Sequence, residues 1–134
     1  MIPSNDDPVR RLSIWSGPRN VSTALMYSFR QRSDTQVFDE PLYGHYLATS
    51  EARHPGGDEV LAAMDTDGER VVREVLLGGA NGAGGRDGPA GAPADAPRLR
   101  VYKNMAHHLR GLDPAFLDRI SNALLRTHRT ITWL

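Results

Sequence analysis

The chain has 134 residues, 40% of them hydrophobic and 24% charged, which suits one domain with a modest core and is too little for two unless both are small. Its 16 basic and 16 acidic side chains cancel to a formal net charge of zero, so no global field draws it to nucleic acid or an anionic membrane, and any anion site has to be local. The lack of cysteine excludes disulfides, a thiolate nucleophile and Cys-ligated metal; with no apolar run near the roughly eighteen residues that span a bilayer and no leader pattern, a cytoplasmic protein is expected.

Residues 1–10 read as a disordered lead-in, polar and proline-containing through Pro8. Arg11 to Trp15 forms a β-like run that stops at Ser16-Gly17-Pro18, a strong turn signal. From Ser22 the period changes. Val21, Leu25 and Phe29, with Met26 beside them, mark one face of a helix reaching about Arg32, and Ser22 is placed to be its N-cap. Gln36 to Asp39 reads as a second strand closed by Glu40-Pro41, because the residue before proline is pushed away from helical geometry. A short helix is expected over Leu42 to Leu47. Another is capped by Asp58 with Val60, Leu61 and Met64 inward, and a third carries Val71, Val72, Val75 and Leu76 on one stripe. Residues 78–97 are nearly all Gly, Ala, Pro, Asp, Asn and Arg and read as a solvated, disordered insertion, so that deleting Gly79 to Ala96 is expected to leave the thermal midpoint nearly unchanged. Leu99 to Lys103 alternates like a strand. Asp113-Pro114 then opens a helix to about Leu125 with Phe116, Leu117, Ile120 and Leu124 on its inner face, and Thr130 to Leu134 begins one more β-like alternation. Strands alternating with helices imply an α/β fold with a parallel sheet and flanking helices.

The stretch from Ser16 to Thr23 lies between a strand and a helix, where unpaired N–H groups and the positive end of the helix dipole favour phosphate or sulfate. Gly17 allows close backbone approach, Arg19 can grip two oxygens at once, and Ser22 and Thr23 add hydroxyl donors. An ordinary turn with a capping serine and a solvated arginine fits the same letters. The Walker pattern Gly-x-x-x-x-Gly-Lys-Ser/Thr does not occur, which removes both the usual phosphate lysine and the hydroxyl that holds magnesium. Asp39 and Glu40 follow the second strand, where open α/β sheets gather ligands, so Glu40 is a candidate general base; a solvated strand end, or pairing with nearby arginines, is the plain alternative. Lys103 ends a strand at the same side of the sheet, and His107 belongs to the residue type most often used as a base near neutrality. His108 is expected to be structural or on the surface. His45, His54 and His128 have no supporting ligand spacing, and Trp15 and Tyr43 read as core or crevice wall.

Three segments in order, Ile14 to Met26, Asp39 to Tyr43 and Tyr102 to Leu109, resemble the bacterial and plant sulfotransferase-like family sometimes labelled branched-chain aminotransferase-like. The likeness runs from Leu12 to about Leu125 apart from the insertion. It implies a P-loop NTPase-like parallel sheet whose first loop, Gly17, Pro18, Arg19, Asn20, Val21, Ser22 and Thr23, grips the 5′-phosphosulfate of 3′-phosphoadenosine 5′-phosphosulfate (PAPS), with Arg19 in place of the usual lysine and no metal expected. By the same likeness Lys103 contacts the bridging oxygen or the sulfuryl group, and Glu40 or His107 is the base. The family's later Arg-Asp-Pro-like segment and downstream serine, which hold the 3′-phosphate, are not matched by Arg126 to Leu134.

Residues 11–134 are therefore expected to be a partial domain truncated after its fourth strand, a fragment or frameshifted product inactive alone in preference to a domain that needs a partner, with an exposed sheet edge and self-association through apolar surface. Translation beyond codon 125 in another frame is expected to restore the missing segment. The leading expectation is sulfuryl transfer from PAPS to an unidentified hydroxyl or amine. The alternatives are a P-loop kinase-like nucleotide enzyme and a catalytically dead interaction module.

Overall fold

The computed structural model describes residues 9–17, 21–50, 55–78 and 98–125. Strand β1 spans Arg10–Ser16, helix α1 Ser22–Arg30, β2 Thr35–Asp39, α2 Tyr43–Thr49 and α3 Gly57–Ala63. Helix α4, Gly68–Val71, continues as a π-helical turn over Val72–Leu76; β3 spans Leu99–Met105, two 3₁₀ segments cover Ala106–Leu109 and Pro114–Arg119, and β4 spans Ser121–Leu125. The four strands form one parallel sheet in the order β2-β3-β1-β4. The expected α/β architecture is therefore what the chain adopts.

Alternation along each strand sends successive side chains to opposite faces of the sheet. Ile14, Val37 and Val101 meet Met26 of α1 on one face, with Leu25 and Phe29 packed against them. Trp15, Phe38 and Tyr102 face the other way onto Leu42, Val71, Val72, Leu76, Phe116 and Ile120. Burying each such side chain is worth roughly 1.5–3 kcal/mol, so two small cores hold a thin sheet from both sides. The chain leaves β1 toward β2 through α1, and leaves β3 toward β4 on the far side of β1. These connections diverge from neighbouring strands, and open α/β sheets gather ligands outside the carboxyl ends of strands so arranged.

Several sequence expectations are corrected. Asp113 does cap a helical segment, accepting from the Ala115 N–H at 3.0 Å, but that segment is 3₁₀ and ends at Arg119. Residues 121–125 are strand β4, not the end of a helix, and Leu124 is 69% exposed. The reason is tertiary: the edge of β1 accepts a parallel partner from Leu12↔Ser121 to Ser16↔Leu125, and Asn122 brackets the bend by donating to the carbonyls of Leu117 at 2.8 Å and Ile120 at 3.1 Å. Ser22 is not the cap of α1. It lies in the first helical turn, 4% exposed, while Val21 precedes the helix and points to solvent at 69% exposure. Gly56, with φ of +75°, precedes α3 in place of Asp58, and no residue of α3 is buried, so Val60 and Leu61 do not face a core; nor does Met64, just beyond the helix and only half-buried.

The lead-in is shorter than expected, because Val9 is buried and the Arg10 N–H donates to the Arg98 carbonyl at 2.9 Å. Gly78 is anchored, not solvated: its carbonyl accepts from Arg11 Nη2 at 2.7 Å and Arg100 Nη1 at 2.8 Å. Two cations thus meet the carbonyl end of the α4 segment, the end a helix leaves unpaired and negative. The rest of the expected insertion, residues 79–97, lies outside the described residues, as do residues 126–134 with their β-like alternation.

Candidate functional site at the carboxyl ends of β2 and β3

Lys103 is the single lysine of the chain and one of its least exposed charges, its side chain only 8% accessible near the carboxyl end of β3. A lysine is rarely buried unless paired. Here the pairing comes from strand register. Asp39 closes β2 directly opposite Lys103, and Asp39 Oδ1 accepts a hydrogen bond from Lys103 Nζ at 3.2 Å. Glu40 Oε2 lies 3.7 Å from the same ammonium, an ion-pair separation beyond hydrogen-bond length. The Glu40 backbone is held on both sides: its N–H donates to the Lys103 carbonyl at 2.8 Å and its carbonyl accepts from the Tyr43 N–H at 3.0 Å. Its φ of +47° is the left-handed region, which a non-glycine residue occupies only at a cost met by its surroundings. Those two bonds close β2 and start α2.

Of the residues expected at the site, Glu40 and Lys103 are thus brought together. Gly17 directly follows β1, whose last residues pair with Asn104 and Met105 just beyond Lys103. Val21 is exposed, Ser22 buried and Thr23 exposed at the start of α1; Pro18, Arg19 and Asn20 lie outside the described residues. His107 lies against α2. Its ring is exposed and stands edge-on to Tyr46 and to His108, each with ring centres 4.7 Å away, on the side of α2. His108 is 1% exposed and stacks on Tyr43 at 5.4 Å and Tyr46 at 4.9 Å, the structural role expected of it.

Trp15 is core. It tilts against Phe116 at 6.4 Å, and its indole N–H donates to Asn122 Oδ1 at 2.8 Å. Asn104, fully buried on β3, donates to Ser13 Oγ at 2.8 Å and ties the two central strands. Sequence reasoning left His45 unassigned and did not name Asp39 as the lysine's partner. His45 is 5% exposed with Nε2 at 2.9 Å from the Arg110 carbonyl; a carbonyl only accepts, so Nε2 carries the proton. A Cβ on Gly68 would fall 2.5 Å from His45 Nδ1, so the α4 N-terminus can pack there only as glycine. For Asp39 the signal was present: two strand ends expected side by side, one acidic and one basic. Among the described residues no three His, Asp or Glu side chains gather as metal ligands, and no described helix is long and apolar enough to cross a membrane.

Comparison with known proteins gives a match to the sulfotransferase domain over residues 10–82, which takes in the loop after β1 and the Asp39–Glu40 turn, with Lys103 and His107 beyond it. The chain is 53% identical over 64 residues to branched-chain-amino-acid aminotransferase-like protein 1 of Arabidopsis thaliana, and 50% identical over 64 residues to branched-chain-amino-acid aminotransferase-like protein 2 of the same plant. The aligned part is 48% of this chain but only 12% and 11% of those proteins. No solved structure matches the chain significantly.

Proposed function

Since the chain belongs to the sulfotransferase-domain family, we propose that it binds PAPS at the carboxyl ends of its central strands and transfers the sulfuryl group to a hydroxyl or amine acceptor. The observation that carries this reading is the buried Lys103 held by Asp39 and Glu40 at those strand ends, on the strand that pairs with β1 up to the residue before Gly17. In the reaction the acceptor oxygen or nitrogen attacks sulfur in line. The bond between sulfur and the 5′-phosphate oxygen breaks, its electron pair stays on that oxygen, and 3′-phosphoadenosine 5′-phosphate leaves. Lys103 supplies positive charge where the leaving oxygen becomes negative, which is where a preorganised cation accelerates such a step. The acceptor proton passes to a base. Glu40 is favoured over His107 because it shares the lysine cluster, whereas His107 packs beside α2. Gly17, Pro18, Arg19, Asn20, Val21, Ser22 and Thr23 form the donor loop, with backbone N–H groups and the Arg19 fork for the anion.

Titration calorimetry with 3′-phosphoadenosine 5′-phosphate and, separately, with ATP and magnesium tests the reading. Selective binding of the former supports it. Preference for ATP moves the chain to a kinase-like nucleotide enzyme, and binding of neither leaves an interaction module.

A further inference from the structure

The lysine cluster poses an electrostatic problem for any anionic ligand. Two carboxylates face one ammonium, an excess of negative charge where, on the reading above, a phosphosulfate has to bind. The two carboxylates are not equivalent. Asp39 is the register partner of Lys103 and holds Nζ by a hydrogen bond at 3.2 Å, whereas Glu40 Oε2 stands off at 3.7 Å. The Glu40 backbone is tied to the Lys103 carbonyl at 2.8 Å and to Tyr43 at 3.0 Å, so it cannot travel with the ammonium; the lysine stem has four rotatable carbons and can. The looser and less mobile contact is the one an incoming oxyanion displaces.

We propose that Lys103 is a shared ammonium that passes from Glu40 to the donor anion on binding, with Asp39 as the positioning residue that keeps it at the end of β3. This rests on the sulfotransferase reading and adds an order to it. The donor binds first, and only then does the Glu40 carboxylate lose its cation and become free to take the acceptor proton.

The test is titration of the full chain with 3′-phosphoadenosine 5′-phosphate, together with acetic anhydride labelling read by mass spectrometry. Lys103 is the only side-chain amine present, so its labelling is unambiguous. The nucleotide is expected to protect Lys103. Glu40→Gln is expected to bind it about tenfold more tightly, because the competitor for the ammonium is gone, and Lys103→Met should abolish that gain in the double variant. Asp39→Asn is expected to bind about tenfold more weakly and Asp39→Glu close to wild type. Charge counting alone predicts the opposite sign for Asp39→Asn, since it removes a negative charge from an anion site. A Glu40→Gln gain that survives in Lys103→Met, or an Asp39→Asn variant that binds as tightly as wild type, overturns the hand-over. Should Asp39→Asn not fold, the Glu40→Gln pair decides. Failure of the wild-type chain to bind the nucleotide sinks the sulfotransferase reading itself, a different result from failure in the variants alone.

Discussion

On the proposed reading, Arg19 and Glu40 are the single residues whose replacement tests the chemistry most directly. Arg19→Ala is expected to weaken binding of inorganic sulfate or 3′-phosphoadenosine 5′-phosphate by about 1.5–3 kcal/mol, the range for charged hydrogen bonds, with the thermal midpoint little changed. Equal affinity in calorimetry would remove the anion loop from the account. Glu40→Gln is expected to lower kcat by roughly 10²–10⁴ while His107→Ala leaves most of it, a comparison that separates the two candidate bases. Position after a strand made Glu40 plausible, and the family resemblance made His107 so. What separates them is the 3.7 Å approach of Glu40 to Lys103 against the packing of His107 on Tyr46.

At the level of elements, the α4 segment is held at both ends by polar contacts. At its start Asp67 accepts from the Arg70 N–H at 3.1 Å, and Arg70 forks onto Asp65 through Nε at 2.6 Å and Nη2 at 2.7 Å. That hydrogen bonding holds the Asp65 carboxyl below its ordinary range and raises the Arg70 guanidinium. A depressed carboxyl contributes stability above its unfolded value, near pH 3.9, and loses it as pH falls through the lower folded value. Denaturant melts taken between about pH 5 and pH 2 should therefore decline less steeply for Asp65→Asn than for wild type. At the other end the Tyr102 hydroxyl donates to the Val75 carbonyl inside the π turn at 3.0 Å, and burial pushes its ionisation up. Tyr102→Phe leaves that carbonyl without this donor and is expected to cost about 0.5–1.5 kcal/mol in the same melts.

At the scale of the molecule, β4 is one border of the described sheet, an uncharged Ser-Asn-Ala-Leu-Leu strand with Leu124 69% exposed. Natural sheets blunt such borders with charge, proline or a covering element. Sedimentation velocity on the 134-residue chain is expected to show self-association that Leu124→Lys reduces. A concentration-independent monomer in wild type would count against the border as a contact surface.

Much of this protein was legible in local signals. Period-two runs placed β1, β2 and β3, and the breakers Ser16-Gly17-Pro18 and Glu40-Pro41 ended β1 and β2, because turn chemistry acts between neighbours along the chain. The motif from Ile14 to Met26 pointed to the family that residues 10–82 match. Tertiary structure alone decided the rest. Residues 121–125 have apolar letters that suit a helix or a strand, and the open edge of β1 together with the Trp15–Asn122 bond selected the strand. Ser22 became a buried residue of the first turn because Met26 and its neighbours seat α1 on the sheet. Asp39 and Lys103 stand 64 residues apart, and only the register of a parallel ladder sets one against the other. Parallel pairing joins strands distant in sequence, so local periodicity can propose the strands but not their order, their register or the charges that meet at their ends.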